Sequence, residues 1–318
     1  MTNSIFRNSF KLYRMHIFLA NPRGFCAGVN MAIKTLETAI IRFGLPLYVY
    51  HEIVHNTWIV DDFKLRGVKF VSMLDEVPEG SRLMFSAHGV APNIRERAKQ
   101  KNIETIDATC PLVARVHREV LRYAADDYTI ILIGHSGHDE VIGTMNEAPE
   151  SIILVEHESD IHALKFAQDE KLVVLTQTTL SVTETKSMIE LLQKKFPNII
   201  GKSNANICYA TQHRQDAIAT LAALVDVVLI VGSENSSNSK RLAERGEALG
   251  VRSILIDGVD NIDVGWFNGS ERVLISAGAS APEYVVQDCV RMLQKIFNAT
   301  VEERQTCSDS LSFQLPID

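Results

Sequence analysis

What this chain has little of already narrows what it can be. Five cysteines in 318 residues are too few and too scattered for a disulfide scaffold, and an odd number with no close pair fits a reducing compartment such as the cytoplasm. No apolar run approaches the ~18 residues of a membrane span, so no membrane association is expected. Cationic excess is missing as well: 32 Lys and Arg face 39 Asp and Glu, a net charge of −7, which argues against a nucleic-acid partner. What remains, 46% hydrophobic and 22% charged, is ordinary globular composition, with a monomer as the default expectation.

Two of the five cysteines have bland explanations. Cys289 shares an apolar helical stripe with Val285, Val286, Val290, Leu293 and Ile296, as a core residue would. Cys307 lies in a polar tail. Cys26, Cys110 and Cys208 differ, because each stands near a turn with a helical pattern following, and they are spaced 84 and 98 residues apart. A local zinc knuckle is excluded by such distances, whereas one cysteine per small domain is not.

The neighbours of these cysteines repeat too. His55 follows Cys26 by 29 residues, His138 follows Cys110 by 28, and Ser236 follows Cys208 by 28. A second polar position comes further on: His88, Thr178 and Ser280 follow the same cysteines by 62, 68 and 72 residues. This reads as an internal triplication, in which three units of about 106 residues each bring one cysteine and two polar groups to a shared centre. About twelve strand-like runs alternate with helical patterns, giving an α/β fold of three similar domains in a pseudo-three-fold arrangement with mainly parallel pairing. The expected organisation is 28–110, 111–207, and 208–300 joined by 15–27, with 301–318 as a C-terminal tail. Residues 1–14 carry Arg7, Lys11 and Arg14 without an acidic residue but lack the apolar core of a signal; a disordered extension is the simpler reading than a targeting segment.

The polar motifs fall where strands give way to helices, the place for a ligand in such folds. Cys26 follows the strand His16–Ala20 and precedes a helix, whose N-terminus favours a thiolate. After Pro46–Tyr50 comes His51-Glu52-Ile53-Val54-His55-Asn56, in which His55 is taken for the pocket and His51 as structural. Arg82–Ser86 leads to His88, and Thr129–Ile133 leads through Gly134-His135-Ser136-Gly137 to His138 and Glu140. Lys171–Leu175 leads to Thr176-Gln177-Thr178-Thr179-Leu180-Ser181, where Thr179 or Ser181 can also serve simply as a helix cap. Asp226–Val231 ends in a Ser/Asn-rich turn containing Ser236, Ser237 and Asn238 before a helix predicted over Lys240–Leu249, an arrangement suited to an oxyanion. Arg272–Ser276 ends near Ser280, and Pro282 is placed in the first turn of the last helix.

Three cysteines without a fourth can hold zinc together with a histidine, although structural zinc sites draw ligands from close pairs. They can also hold a cubane iron–sulfur cluster with one iron lacking a protein ligand, able to act as Lewis acid and electron relay. Neutral and cationic donors around it suit a polyanion such as a diphosphate. Glu140 is the one carboxylate in the set and the natural proton source.

Taken together, Asn21–Gly28, His51–Asn56, Ser86–Val90, Ala108–Val113, Gly134–His138 with Glu140, Thr176–Ser181, Ile207–Thr211, Asn235–Ser239 and Ser276–Pro282 closely resemble the motifs of the 4-hydroxy-3-methylbut-2-enyl diphosphate reductase (LytB) family, over about residues 15–300. The resemblance implies a 4Fe-4S cluster held by Cys26, Cys110 and Cys208 at the centre of the three domains. It implies a diphosphate held by His55, His88, His138, Ser236, Ser237, Asn238 and Ser280, with Thr178 and Glu140 serving the substrate hydroxyl. The implied reaction is a two-electron reductive dehydroxylation to isopentenyl and dimethylallyl diphosphate, the last step of the methylerythritol phosphate route, with a ferredoxin- or flavodoxin-type protein as electron donor. Two departures flank Cys208: His213 stands where the family usually has asparagine, and Asn206 where aspartate is common. An iron–sulfur dehydratase of the quinolinate synthase kind, and a non-enzymatic iron–sulfur sensor or zinc-stabilised binding protein, are the rival readings.

Overall fold

The computed structural model describes residues 14–201 and 206–317, so most of the N-terminal extension expected at 1–14 lies outside the described residues. Along the first third run β1 (His16–Asn21), α1 (Ala27–Phe43), β2 (Tyr48–Tyr50), α2 (Thr57–Leu65), β3 (Lys69–Val71), β4 (Arg82–Phe85), α3 (Pro92–Gln100) and β5 (Glu104–Asp107). The middle third contributes α4 (Pro111–Ala125), β6 (Thr129–Ile133), α5 (Asp139–Met145), β7 (Ile152–Val155), α6 (Glu158–Ala163), β8 (Leu172–Thr176) and α7 (Val182–Lys195). The remainder comprises α8 (Tyr209–Leu221), β9 (Val227–Val231), α9 (Ser237–Ala248), β10 (Arg252–Ile256), β11 (Arg272–Ala277), α10 (Glu283–Phe297) and β12 (Thr300–Gln305).

These strands form three parallel sheets, ordered β3-β2-β4-β5, β7-β6-β8 and β10-β9-β11-β1-β12. The expected α/β class with parallel pairing holds. Parallel sheets need both faces covered, which is why strands such as Val227–Val231 are apolar at every position. Two apolar clusters sandwich each sheet: Val49 and Met84 pack on one face of the four-stranded sheet and Leu83 and Phe85 on the other. Ile131 and Val174 oppose Ile130 and Val173 in the three-stranded sheet. Leu229 and Ile275 oppose Val228 and Leu274 in the largest. Cys289 lies in that last core, fully buried.

The C-terminal segment is not a loose tail. Thr300–Gln305 pairs in parallel with β1 from His16↔Thr300 to Asn21↔Gln305, as an edge strand whose charged residues hid it in the sequence. Beyond it, Asp309 reaches Arg214, whose Nη1 donates to Oδ2 at 3.2 Å. Arg214 is among the most buried side chains of the chain at 1% exposure. Its guanidinium also donates to the carbonyls of Ala210 (2.9 Å) and Gly24 (2.6 Å). Ile317 then packs against the core cluster that includes Phe25 and Cys26. His213 approaches the same carboxylate, at 4.0 Å. Smaller shifts are that α9 starts at Ser237 rather than Lys240, and that Pro282 is the N-cap of α10 rather than its first residue.

Removing the carboxylate opposite a buried guanidinium leaves a charge without a counter-ion, which typically costs ~3 kcal/mol or more. Asp309→Ala should therefore lower the urea unfolding free energy by about 3 kcal/mol. Arg291→Ala, removing an exposed pair with Asp288, should change it by less than about 1 kcal/mol.

Candidate active site

Each of the three cysteines caps a helix at a junction between two sheets. Cys26 is the N-cap of α1 and accepts from the Val29 amide at 3.5 Å. Cys110 caps α4. Cys208 caps α8, accepting from the Thr211 amide at 3.4 Å with the Thr211 hydroxyl 3.1 Å away. Their own amides follow one rule. Cys26 N–H donates to Ala279 O (3.1 Å), Cys110 N–H to Ala87 O (2.9 Å) and Cys208 N–H to Thr178 O (3.0 Å). Each cysteine thus docks on the loop of one sheet, at or next to Ser280, His88 or Thr178, while its helix packs on the next sheet. The repeat seen in the sequence is cyclic in space, with every cysteine shared between neighbours.

Cys208 differs in one respect. It follows α7 and a single bridge at Ile200 rather than a named strand. Asn206 fixes its approach, accepting from Thr176 N–H (3.1 Å) and donating to Glu119 (2.7 Å).

Cys26, Cys110 and Cys208 all line one cavity. A Cβ placed on Gly28 would meet Cys110 Sγ at 2.5 Å, with Cys26 Sγ at 4.0 Å, so only glycine lets these sulfurs approach. Burial, then repulsion from Cys26, raises the Cys110 thiol to about 12 and the Cys208 thiol to about 11. Three thiols converging on one space at helix N-termini, with no lysine or arginine among the cavity's lining residues, fit a cationic metal centre that would draw off their protons.

The same cavity is lined by His55, His88, His138, Glu140, Thr178, Ser236, Ser237, Asn238 and Ser280, every one of which the sequence singled out. The rings of His55 and His88 stack with centroids 3.9 Å apart, and His138 meets them edge-on at 5.2 and 5.9 Å. Burial and mutual repulsion hold His88 well below the ordinary histidine value and bring His138 down to about 4. Asn238, 4% exposed, has neither amide atom hydrogen-bonded. Buried polar groups are rarely left so, and three histidines with an unpaired amide form a pocket suited to an anion.

Glu140 is 2% exposed and accepts from Thr178 N–H (2.7 Å) and Thr178 Oγ1–H (2.9 Å). Burial lifts its carboxyl to about 7, the two Thr178 bonds opposing the shift. Several hydroxyls are already engaged: Ser236 Oγ caps α9, accepting from Ser239 N–H, and Ser280 Oγ donates to His55 O at 2.8 Å. Thr179 Oγ1 donates to Ser237 Oγ (3.1 Å), while Ser181 caps α7. The sequence missed Glu52, whose Oε2 bonds His55 Nδ1 (3.1 Å) and Asn235 Nδ2 (2.7 Å). It is simply a carboxylate three residues before His55, and only the fold brings Asn235 to it.

Protonation carries opposite signs here. A histidine held low keeps its stability above 6.5 and loses it as pH falls towards the lowered value, about 2 kcal/mol between pH 7 and 5 for His138. A carboxyl held high gains stability as pH falls through 7 towards 4.5, by a similar amount. In metal-free protein, His138→Gln should therefore be stabilised at pH 5 relative to pH 7 more than wild type, and Glu140→Gln less. Urea midpoints at both pH values check this, and equal shifts in the two variants would contradict the assigned environments.

No described helix is long and apolar enough to cross a membrane. Residues 17–294 match the LytB protein family. The 4-hydroxy-3-methylbut-2-enyl diphosphate reductase of Rhodopirellula baltica is 51% identical over 302 residues, covering 95% of each chain. The solved E-1-hydroxy-2-methyl-but-2-enyl-4-diphosphate reductase of Plasmodium falciparum superposes with a TM-score of 0.93 at 39% identity, covering 95% of this chain and 96% of that one. A solved (E)-4-hydroxy-3-methyl-but-2-enyl diphosphate reductase, described as the terminal enzyme of the non-mevalonate pathway, gives 0.63 at 31% identity, covering 89% and 100%. None of these names favours the dehydratase or sensor readings. A family match spanning the three sheets, over a cavity with this donor set, means that the chain belongs to the LytB protein family, the 4-hydroxy-3-methylbut-2-enyl diphosphate reductases.

Proposed function

We propose that the cavity between the three sheets is the active site of a reductive dehydroxylation, in which 4-hydroxy-3-methylbut-2-enyl diphosphate, two electrons and two protons give isopentenyl or dimethylallyl diphosphate and water. The observation that carries this reading is the meeting of three cysteines, three histidines and a raised carboxyl in one cavity. Each sheet with its helices is read as one domain, and β12 extends the third beyond residue 300.

Cys26, Cys110 and Cys208 would hold a 4Fe-4S cluster, which supplies electrons and a Lewis-acidic iron when bound. Gly28 leaves the room the sulfurs need. His55, His88 and His138 face the diphosphate, and its charge favours proton uptake by His88 and His138, which burial and mutual repulsion otherwise hold low. Asn238 finds there the partners it lacks, and the N-terminus of α9, with Ser236 and Ser237, faces the anion. Ser280 exchanges its bond to His55 O for the ligand.

A carboxyl near 7 is protonated in an appreciable fraction of molecules at neutral pH, as a general acid must be. Glu140 gives its proton to the departing hydroxyl, and Thr178 Oγ1 keeps the carboxyl turned into the cavity. The electron donor is read as a ferredoxin- or flavodoxin-type protein.

Anaerobically reconstituted protein should oxidise reduced viologen on addition of the substrate and release both C5 diphosphates. Glu140→Gln should slow turnover by roughly 10²–10⁴-fold, the usual worth of a placed acid; wild-type turnover in that variant would remove Glu140 from the mechanism. Gly28→Val should bind far less iron and sulfide than wild type.

A further inference from the structure

We propose that Asp139 and His51 form a positioning pair that sets the proton-donating turn at the start of α5 against the diphosphate-binding loop after β2. The inference rests on reading Glu140 as the proton donor. Neither residue lines the cavity described above; both line a neighbouring pocket in the seam between the two loops, with Tyr50 and Gly143.

Three consecutive residues of that turn, the extended N-cap and the first two helical positions, point three ways. His138, the N-cap, faces the cavity. Asp139 Oδ1 meets His51 Nδ1 at 2.7 Å. Glu140 turns to Thr178. The helix they open has seven residues, too few to hold itself in place, and the preceding Gly137 sits at φ +79°. The turn is therefore fixed from outside, by Glu140 on Thr178 at one side and Asp139 on His51 at the other. Asp139 Oδ2 also lies 3.9 Å from His55 Nε2, so the carboxylate spans the two histidines of the neighbouring loop.

His51 is held in an unusual way. Its backbone is left-handed at φ +56°, a conformation that costs a residue with a side chain ~1 kcal/mol or more. Its ring stacks on Tyr50 at 4.3 Å. Its Nε2 faces the Ser72 carbonyl at 3.3 Å, which can only accept, so with Asp139 at Nδ1 both ring nitrogens face acceptors. The bond to Asp139, against burial, holds His51 above its ordinary value; burial would lift Asp139, yet the bond from His51 keeps it low. A strained backbone with both ring nitrogens engaged is the sign of a residue whose position matters.

Asp139 thus acts through Glu140, and its loss should fall on the chemical step rather than on diphosphate binding. Misplacing a reacting group by an ångström can cost ~10²-fold in rate. In cluster-loaded enzyme, D139A should lower kcat by roughly 10–100-fold. KM, and the affinity for isopentenyl diphosphate, which keeps the diphosphate but has no hydroxyl to protonate, should stay within about threefold. D139E should recover much of the rate. H51Q should match D139A, and the double variant should be no worse than either, since both remove one interaction. Should D139A fail to load or fold, the isosteric D139N is read instead, with a loss of about tenfold. Wild-type kcat in these variants, additive losses, or product affinity falling in step with kcat would each overturn the pair. Wild-type protein that loads its cluster but does not turn over would instead overturn the functional reading beneath it.

Discussion

Three half-buried thiols cannot share a small space without a reason, and the structure is arranged around making them do so. Each sulfur sits at the positive end of a helix, where free amides point at it, and each cysteine amide is tied to a carbonyl on a different sheet from the one its helix covers. The three sheets are linked in a ring through these residues. The centre is therefore also the place where the sheets are locked together, and Gly28 marks how tightly, since one methyl group there would collide with Cys110.

The electrostatics follow from the same crowding. Around the thiols lie histidines that repel one another and an asparagine with no partner. In the same cavity a carboxyl is starved of water and kept partly protonated. Burial works in opposite senses on these groups, lowering the bases and raising the acid. The cavity is unfavourable for itself and favourable for a ligand with a polyanionic end and a hydroxyl to lose, which is how binding energy becomes available for chemistry. Outside the cavity, carboxylates do the holding. Glu52 joins His55 to Asn235, Asp139 joins His51 across the seam, and Asp309 neutralises the arginine between the Cys26 and Cys208 loops.

The cysteines, histidines, Glu140, Thr178 and the serine turn were legible in the sequence because they repeat at near-equal spacing and because strand-to-turn boundaries carry strong local signals, apolar runs ending in glycine and small polar residues. That was enough to assemble nearly every residue lining the polar part of the cavity. The sheet sizes of four, three and five strands were not legible, since a triplicated pattern suggests equal thirds. Nor was β12, because an edge strand alternates charged residues much as a tail does.

The amino-acid sequence by itself determined the α/β class, the strand-to-helix turns and the identity of the reactive side chains, since these depend on periodicity and residue chemistry over short spans. Only the tertiary structure decided which loop each cysteine docks on, that Asp139 meets His51 and Glu52 meets Asn235, and that the C-terminal residues reach back to Arg214. Those are contacts between residues roughly 90 to 280 positions apart. Nothing local in a carboxylate tells which cation or amide it will meet; packing the apolar faces of three sheets against shared helices settles that, and the charges then pair where packing leaves them.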